Sequence, residues 1–289
     1  YEDILKKNAL GKTGREYLAQ RGIAKEIADL LHIGFAPAGW SSFLDYAKQG
    51  KRAQEGDLVT AGLVIKNEKG SSYDRFRERL IFPIFDQKNR PIAFGGRTVE
   101  NHDPKYLNSP ETPIYSKGKH LYGLNFSKHA IVNEKAVLIV EGYMDFASLY
   151  QSGIHHVVAC LGTALTQDQL RLLKRYTNSL VMVYDGDAAG QIATLRNLDS
   201  AIEEGFYVRI AVLPVDQDPD SFVKKFGSQV FRKLIDDAFD LFEYKLKFLL
   251  KSYAKDKAQE KAIVVKEMLS TIRKVPNAVV QSEYIRQLS

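Results

Sequence analysis

A single cysteine, Cys160, excludes an internal disulfide and any zinc site built from cysteines. It lies in His156-Val157-Val158-Ala159-Cys160, which reads as a strand, so a buried structural thiol is expected rather than a nucleophile. A reducing, cytoplasmic setting fits. No apolar run approaches the ~20 residues of a transmembrane helix. No glycine-rich phosphate loop of the Walker or dinucleotide type follows any of the strands described below. The chain opens on Tyr1-Glu2-Asp3, without an initiator Met or a signal-like apolar region, and is expected to be a piece of a longer protein.

What is present is an ordinary globular composition, 45% apolar and 26% charged, over 289 residues, enough for roughly two domains. The net charge of +6 is unevenly spread. Residues 1–134 carry 21 Lys and Arg against 16 Asp and Glu, a balance of +5. Residues 135–227 carry 8 against 11, or −3, and residues 228–289 carry 12 against 8, or +4. An acidic centre between basic flanks suits a metal site that serves a polyanion.

Residues 1–33 read as amphipathic helix, with Thr13 as a cap, Glu16 at the capping-box position and Gly22 as a stop. A further helix is expected over 24–32, and another over 41–49 with Ser41 or Ser42 as its cap. Strands are expected over 63–65, 79–85 and 91–97, the last two joined by a turn at Asp86-Gln87-Lys88-Asn89-Arg90. Arg75, Arg77 and Arg79 alternate and would project from one face of an extended segment. Gly95-Gly96 would let another backbone, or that of a nucleic acid, come close beside Arg97. Residues 102–128 are polar and punctuated by Pro and Gly but keep too many apolar side chains for disorder. They are expected to form an ordered loop in which Lys105 and Lys117 bind phosphate.

From residue 135 to 227 strands and helices alternate. Strands are expected at 137–140, 157–160, 180–184 and 208–213, and helices at 143–152, 166–176 and 188–204. That order predicts a parallel sheet flanked by helices. Residues 228–289 read as three helices, roughly 228–254, 257–274 and 277–289.

The acids fall where this sheet would concentrate chemistry. Val137-Leu138-Ile139-Val140 stops on Glu141, and Leu180-Val181-Met182-Val183-Tyr184 stops on Asp185-Gly186-Asp187. The last strand is followed by Asp218-Pro219-Asp220. Ligands of open α/β sheets bind at the carboxyl ends of the strands. Carboxylates on successive strand ends can hold magnesium, which takes oxygen ligands and shares them with substrate phosphates. Such a site suits phosphoryl transfer. The residues alone leave nuclease, topoisomerase, polymerase and nucleotide-binding switch open.

Glu141, Asp185-Gly186-Asp187 and the later acid pair resemble the toprim fold of topoisomerases, primases and some nucleases. Further motifs join them: Tyr73-Asp74-Arg75-Phe76-Arg77-Glu78-Arg79, Phe94-Gly95-Gly96-Arg97, Lys105-Tyr106-Leu107-Asn108-Ser109-Pro110-Glu111-Thr112 and Glu141-Gly142-Tyr143-Met144-Asp145. Together they resemble the RNA polymerase domain of bacterial DnaG-type DNA primases over almost the whole chain. The resemblance implies α/β and α+β architecture in three parts. These are a mixed basic subdomain over 1–134, a toprim metal-binding subdomain over 135–227 and a helical subdomain over 228–289.

It also implies synthesis of RNA primers from ribonucleoside triphosphates on a single-stranded DNA template, by a monomer of the bacterial replisome with no membrane partner. Glu141, Asp185 and Asp187 would be catalytic and, with Asp218 and Asp220, would hold Mg2+ or Mn2+, with Asp145 in support. Arg21, Arg77, Arg97, Lys105 and Lys117 would face nucleotide or nucleic acid. Zinc is expected only in an N-terminal domain outside this chain. The replicative helicase is expected to bind through a C-terminal domain for which the chain has no room.

Overall fold

The computed structural model describes all residues except 51–52, 101–102, 163, 186–191 and 254–256, and the side chains of 192–194 and 196–197. The chain forms two compact units, Tyr1–Asn125 and Phe126–Ser289.

The first unit opens with three short helices, α1 (Glu2–Lys7), α2 (Lys12–Gln20) and α3 (Lys25–Leu30). Then come β1 (Gly34–Ala36), α4 (Ser42–Gln49), α5 (Glu55–Thr60), β2 (Val64–Lys66) and β3 (Ser72–Asp74). It ends with β4 (Arg79–Phe85), β5 (Pro91–Thr98) and β6 (Tyr106–Asn108). Strands β1, β4, β5 and β6 pair in that order as an antiparallel sheet, while β2 and β3 form a separate hairpin. Ala36, Phe76 and Ile81 form an apolar centre against which Tyr1, Phe94 and Leu107 pack.

Three expectations are corrected in this unit. Helix α2 starts at Lys12 with Gly11 in the capping place, so Thr13 lies inside the helix. Ser41 occupies the cap position of α4 without a capping bond. The carboxylate of the buried Asp74 supplies the cap instead, accepting the N–H groups of Phe43 (2.6 Å) and Leu44 (3.0 Å). Arg75, Arg77 and Arg79 do not share an extended face. The chain leaves β3 at Asp74 and turns through Glu78, whose φ is 51°, before β4 begins. Arg75 then bonds the carbonyl of Asn108 (2.9 Å from Nη2), and the buried Arg79 points to the carbonyl of Lys105 (3.4 Å). Gly96 does serve close approach, but to a side chain: a Cβ there would meet the Phe76 ring at 2.8 Å.

The second unit is the alternating α/β layer. Helix α6 (Leu124–Glu134) begins at the end of the first unit's residues and leads to β7 (Val137–Val140), α7 (Tyr143–Gln151), β8 (Val157–Ala159) and α8 (Gln167–Leu173). Next come β9 (Ser179–Tyr184), α9 (Ile192–Glu203), β10 (Tyr207–Val212) and α10 (Pro219–Asp236). Strands β8, β7, β9 and β10 lie parallel in that order. All of β7 and β8 is buried, which is why these strands read as unbroken apolar runs.

The expected helix over 228–254 is two helices. Helix α10 ends at Asp236, and β11 (Phe239–Asp240) adds to the sheet edge antiparallel to β10. Asp240 then caps α11 (Leu241–Ser252), accepting the Phe242 N–H at 2.8 Å. Helices α12 (Ala258–Ile272) and α13 (Ala278–Leu288) follow. Phe242, Leu249, Val264, Met268 and Ile272 form their shared core. Within that packing Lys245, 1% exposed, donates to the Thr271 hydroxyl (2.6 Å), which donates to Asp199 of α9 (3.1 Å). Asp199 is also within 3.4 Å of Lys274.

Candidate active site

The carboxyl edge of the parallel sheet is built from tightly held strand ends. Glu141 is the residue after β7 and is exposed. Its own carbonyl accepts the Leu161 N–H (2.9 Å), and the carbonyl of Val140 accepts that of Cys160 (3.1 Å). The backbone under the acid is therefore fixed by the neighbouring strand end. Asp185 follows β9 and is half-buried; the carbonyl before it, that of Tyr184, accepts the Leu213 N–H at 3.0 Å. A cavity of about 330 Å3 opens here, lined by Val140, Glu141, Cys160, Met182 and Tyr184 among others. Burial, with the Glu141 charge nearby, pushes the Cys160 thiol up to about 12, so it is inert as a nucleophile at neutral pH.

Asp218 and Asp220 sit at the start of α10. Asp218 is its cap: its Oδ1 accepts the Ser221 N–H (2.7 Å), while the Ser221 hydroxyl accepts the Asp218 N–H (3.0 Å). Pro219 takes the first helical position, where no N–H is needed. Asp220 is 3% exposed and already engaged, accepting the Ser148 hydroxyl and pairing with Lys224 one turn on.

Asp145 joins the two groups. Its Oδ2 accepts the Gly142 N–H (3.0 Å) at the start of α7, and its Oδ1 faces the Asp220 N–H (3.4 Å). Burial, then the charges of Asp218, Asp185 and Asp220, raise its carboxyl to about 7, against which the Gly142 N–H works. Like charges brought this close disfavour one another's ionisation.

These side chains are all-oxygen donors of the kind hard divalent cations take. Glu141 and Asp185 present them at the strand ends, and Asp218 at the start of α10. Among the described residues, no three His, Cys, Asp or Glu side chains stand close enough to enclose an ion. Asp187, expected as a ligand, lies outside the described residues.

The expected basic residues lie in the first unit and differ in exposure. Lys105 is exposed, and Lys117 is partly so, with its N–H on Glu111 (2.8 Å). Arg77 is half-buried, its guanidinium over aromatic rings. Arg97 is 7% exposed, clamped between Tyr17 and Tyr106, whose hydroxyls it bonds. Arg21 is the residue that ends α2, a place where a cation favours the helix dipole. Ser148 and Lys224 were not expected at the acidic site. Lys224 had a sequence signal, its spacing of four from Asp220 on one helix. Ser148 had none, because α7 meets α10 only in three dimensions.

A parallel sheet with acids at successive strand ends, next in sequence to a basic antiparallel unit, defines a toprim-type core. Comparison with known proteins agrees. Three family models match: the N-terminal domain of the DNA primase catalytic core over residues 1–128, a toprim-like domain over 138–223, and the DnaB-helicase binding domain of primase over 242–289. The DNA primase of Clostridium acetobutylicum is 42% identical over 275 residues, 95% of this chain and 46% of that protein. The DNA primase of Escherichia coli is 40% identical over 278 residues, 95% and 48% of the two chains.

The Escherichia coli primase catalytic core superposes with a TM-score of 0.89 at 38% identity, covering all of this chain and 92% of that one. A DnaG primase catalytic domain bound to single-stranded DNA superposes at 0.88 and 37% identity, covering 100% and 93%. The chain belongs to the DnaG-type primase family, where it corresponds to the catalytic core. It spans about half the length of the curated relatives it matches. The match over 242–289 corrects the expectation that the chain has no room for a helicase-binding part: the C-terminal helices are that part's counterpart.

Proposed function

We propose that this chain joins ribonucleotides into short RNA primers on single-stranded DNA, supplying replication in the bacterial cytoplasm. The observation that carries this reading is the placing of Glu141 and Asp185 at adjacent strand ends and of Asp218 and Asp220 at the start of α10, around an Asp145 whose carboxyl is raised by burial first and then by the charges of Asp218, Asp185 and Asp220. The family supplies the reaction. The 3′-hydroxyl oxygen of the growing strand bonds to the α-phosphorus of the incoming nucleotide, the bond to the bridging oxygen breaks, and pyrophosphate leaves. Glu141, exposed at its strand end, takes the hydroxyl proton. Glu141, Asp185, Asp187 and Asp218, with Asp220 behind them, would hold Mg2+ or Mn2+, which would neutralise charge on the triphosphate and lower the pKa of the hydroxyl. Asp145 orients the start of α10 through the Asp220 N–H.

In this reading residues 1–134 bind nucleic acid and nucleotide through Arg77, Lys105 and Lys117. Arg97 and Arg21 shape that surface from below, since Arg97 is buried and Arg21 ends a helix. Residues 135–227 carry the chemistry. Residues 228–289 form the helical part, whose stretch from 242 docks the replicative helicase, as the family match there supports. The single-stranded DNA in a similar primase structure supports the choice of template.

The test is primer synthesis on single-stranded DNA with labelled ribonucleotides and magnesium, run beside Asp185→Ala. Loss of more than about 100-fold in incorporation, with an unchanged thermal melt, is expected for a group that holds transition-state charge. Incorporation at the parent rate would overturn the site. Cleavage of the DNA without RNA products would favour a nuclease or topoisomerase instead.

A further inference from the structure

The only tryptophan in the chain, Trp40, is 65% exposed in the first unit. Single exposed apolar side chains are common and need no account. Trp40 differs because it is built into a rigid group. Tyr73 of β3 packs edge-on against it, ring centroids 5.5 Å apart at 73°. The Arg77 guanidinium lies 4.2 Å from the Trp40 centroid and 5.3 Å from that of Tyr73.

The backbone beneath is fixed as firmly. The Trp40 carbonyl accepts the Asp74 N–H at 2.7 Å. Asp74, 1% exposed, holds the first turn of α4 through Phe43 and Leu44, and its own carbonyl accepts a guanidinium N–H of Arg77. Before the tryptophan, Gly39 lies so close to α4 that a Cβ would meet the Ser42 hydroxyl at 2.3 Å. Tyr73, Asp74 and Arg77, all distant from Trp40 in sequence, thus hold one indole in place and leave most of it in water.

Such an arrangement costs apolar exposure without adding to the core, and its shape matches one ligand. A planar indole with a cation on it offers a stacking surface to a nucleobase and, at the same spot, a charge for the phosphate beside that base. Arg77 covers one face of the ring, so the base would take the other. The remaining donors of the guanidinium fork suit a phosphate oxygen. Asp45 and Glu78 lie in the same stretches of chain, but Arg77 is the charge that touches the ring.

We propose that Trp40 is a base-stacking platform for single-stranded DNA, with Arg77 as its phosphate contact. The choice of strand rests on the primase reading above.

The chain's single tryptophan makes the test direct. An end-labelled oligothymidylate is titrated with the chain, and binding is followed by anisotropy of the label while Trp40 emission is read in the same cuvette. Quenching in step with binding is expected, and an abasic oligomer of equal length should bind without quenching. Trp40→Ala should weaken oligothymidylate binding about 5- to 100-fold, with Trp40→Phe restoring most of it, since any aromatic face stacks. Binding that leaves Trp40 emission unchanged, with Trp40→Ala at parent affinity, would overturn the platform. Primer synthesis measured on the same samples separates the two readings. RNA products with a silent Trp40 remove the platform alone, whereas quenching without RNA products keeps the platform and removes the polymerase.

Discussion

One buried ring, His156, links folding to pH. It is 6% exposed, directly before β8, and its carbonyl accepts the Leu138 N–H at 2.8 Å. Burial holds its pKa below the usual value, Arg232 and His155 press the same way, and Glu134 opposes them. The folded state therefore keeps the ring neutral where the unfolded chain, at about 6.5, already takes a proton. Stability is full above that value and is lost as pH falls from 6.5 toward the lower folded pKa, because the unfolded state binds more protons there. Asp145, raised to about 7, contributes with the opposite sign over the same range, so the loss from His156, at most about 1.4 kcal/mol per pH unit, is read as the difference between the parent and His156→Leu in urea unfolding between pH 5 and 7.5. His156→Leu should gain stability relative to the parent as pH falls below 6.5; a difference that does not change with pH would move the effect to another residue. At this scale the acids of the site were legible, because a carboxylate ending an apolar run has one natural place. The buried condition of Arg97 was not, since its clamp comes from Tyr17, 80 residues away in sequence.

Elements were legible in proportion to their length and burial. Strands β7, β8 and β9 were found because parallel strands covered on both faces become apolar runs between turn residues, and the partly exposed β10 keeps enough of that run to be found. Strands β1, β3, β6 and β11, of three residues or fewer, carry no usable period and exist through their pairing partners. Helix α5 and the break at Asp237 were hidden for a related reason. A helical stripe continues across the break, and only the pairing of β11 with β10 interrupts it. One buried group then ties the elements that follow to the α/β layer. Asp199 of α9 faces Lys245 of α11 at 3.7 Å and accepts from Thr271 of α12. Removing one partner of a buried pair leaves the other charge uncompensated, at a cost of about 3–5 kcal/mol. Asp199→Ala should lose that much in chemical denaturation. Lys245→Met, which leaves Asp199 beside Lys274, should lose clearly less. Equal losses would show that the network is not held by the charge of Lys245.

For the molecule as a whole, the proposed function divides binding from chemistry along the division of charge. Residues 1–134 carry +5 and hold every basic residue assigned to nucleic acid, while residues 135–227 carry −3 and hold every assigned metal ligand. In the proposed function, association with single-stranded DNA belongs to the basic residues and should weaken steeply with salt. Each phosphate contact removed should lower the slope of log K against log salt by about 0.7 for a single strand. Arg77→Ala should show that change together with weaker binding. Asp185→Ala should bind the same oligomer at least as tightly and with the parent slope, because it deletes a negative charge and no phosphate contact. Measured across a salt series, a loss of affinity in Asp185→Ala would mean that the acidic edge helps hold the strand itself. An unchanged slope in Arg77→Ala would mean that the guanidinium meets only its aromatic neighbours.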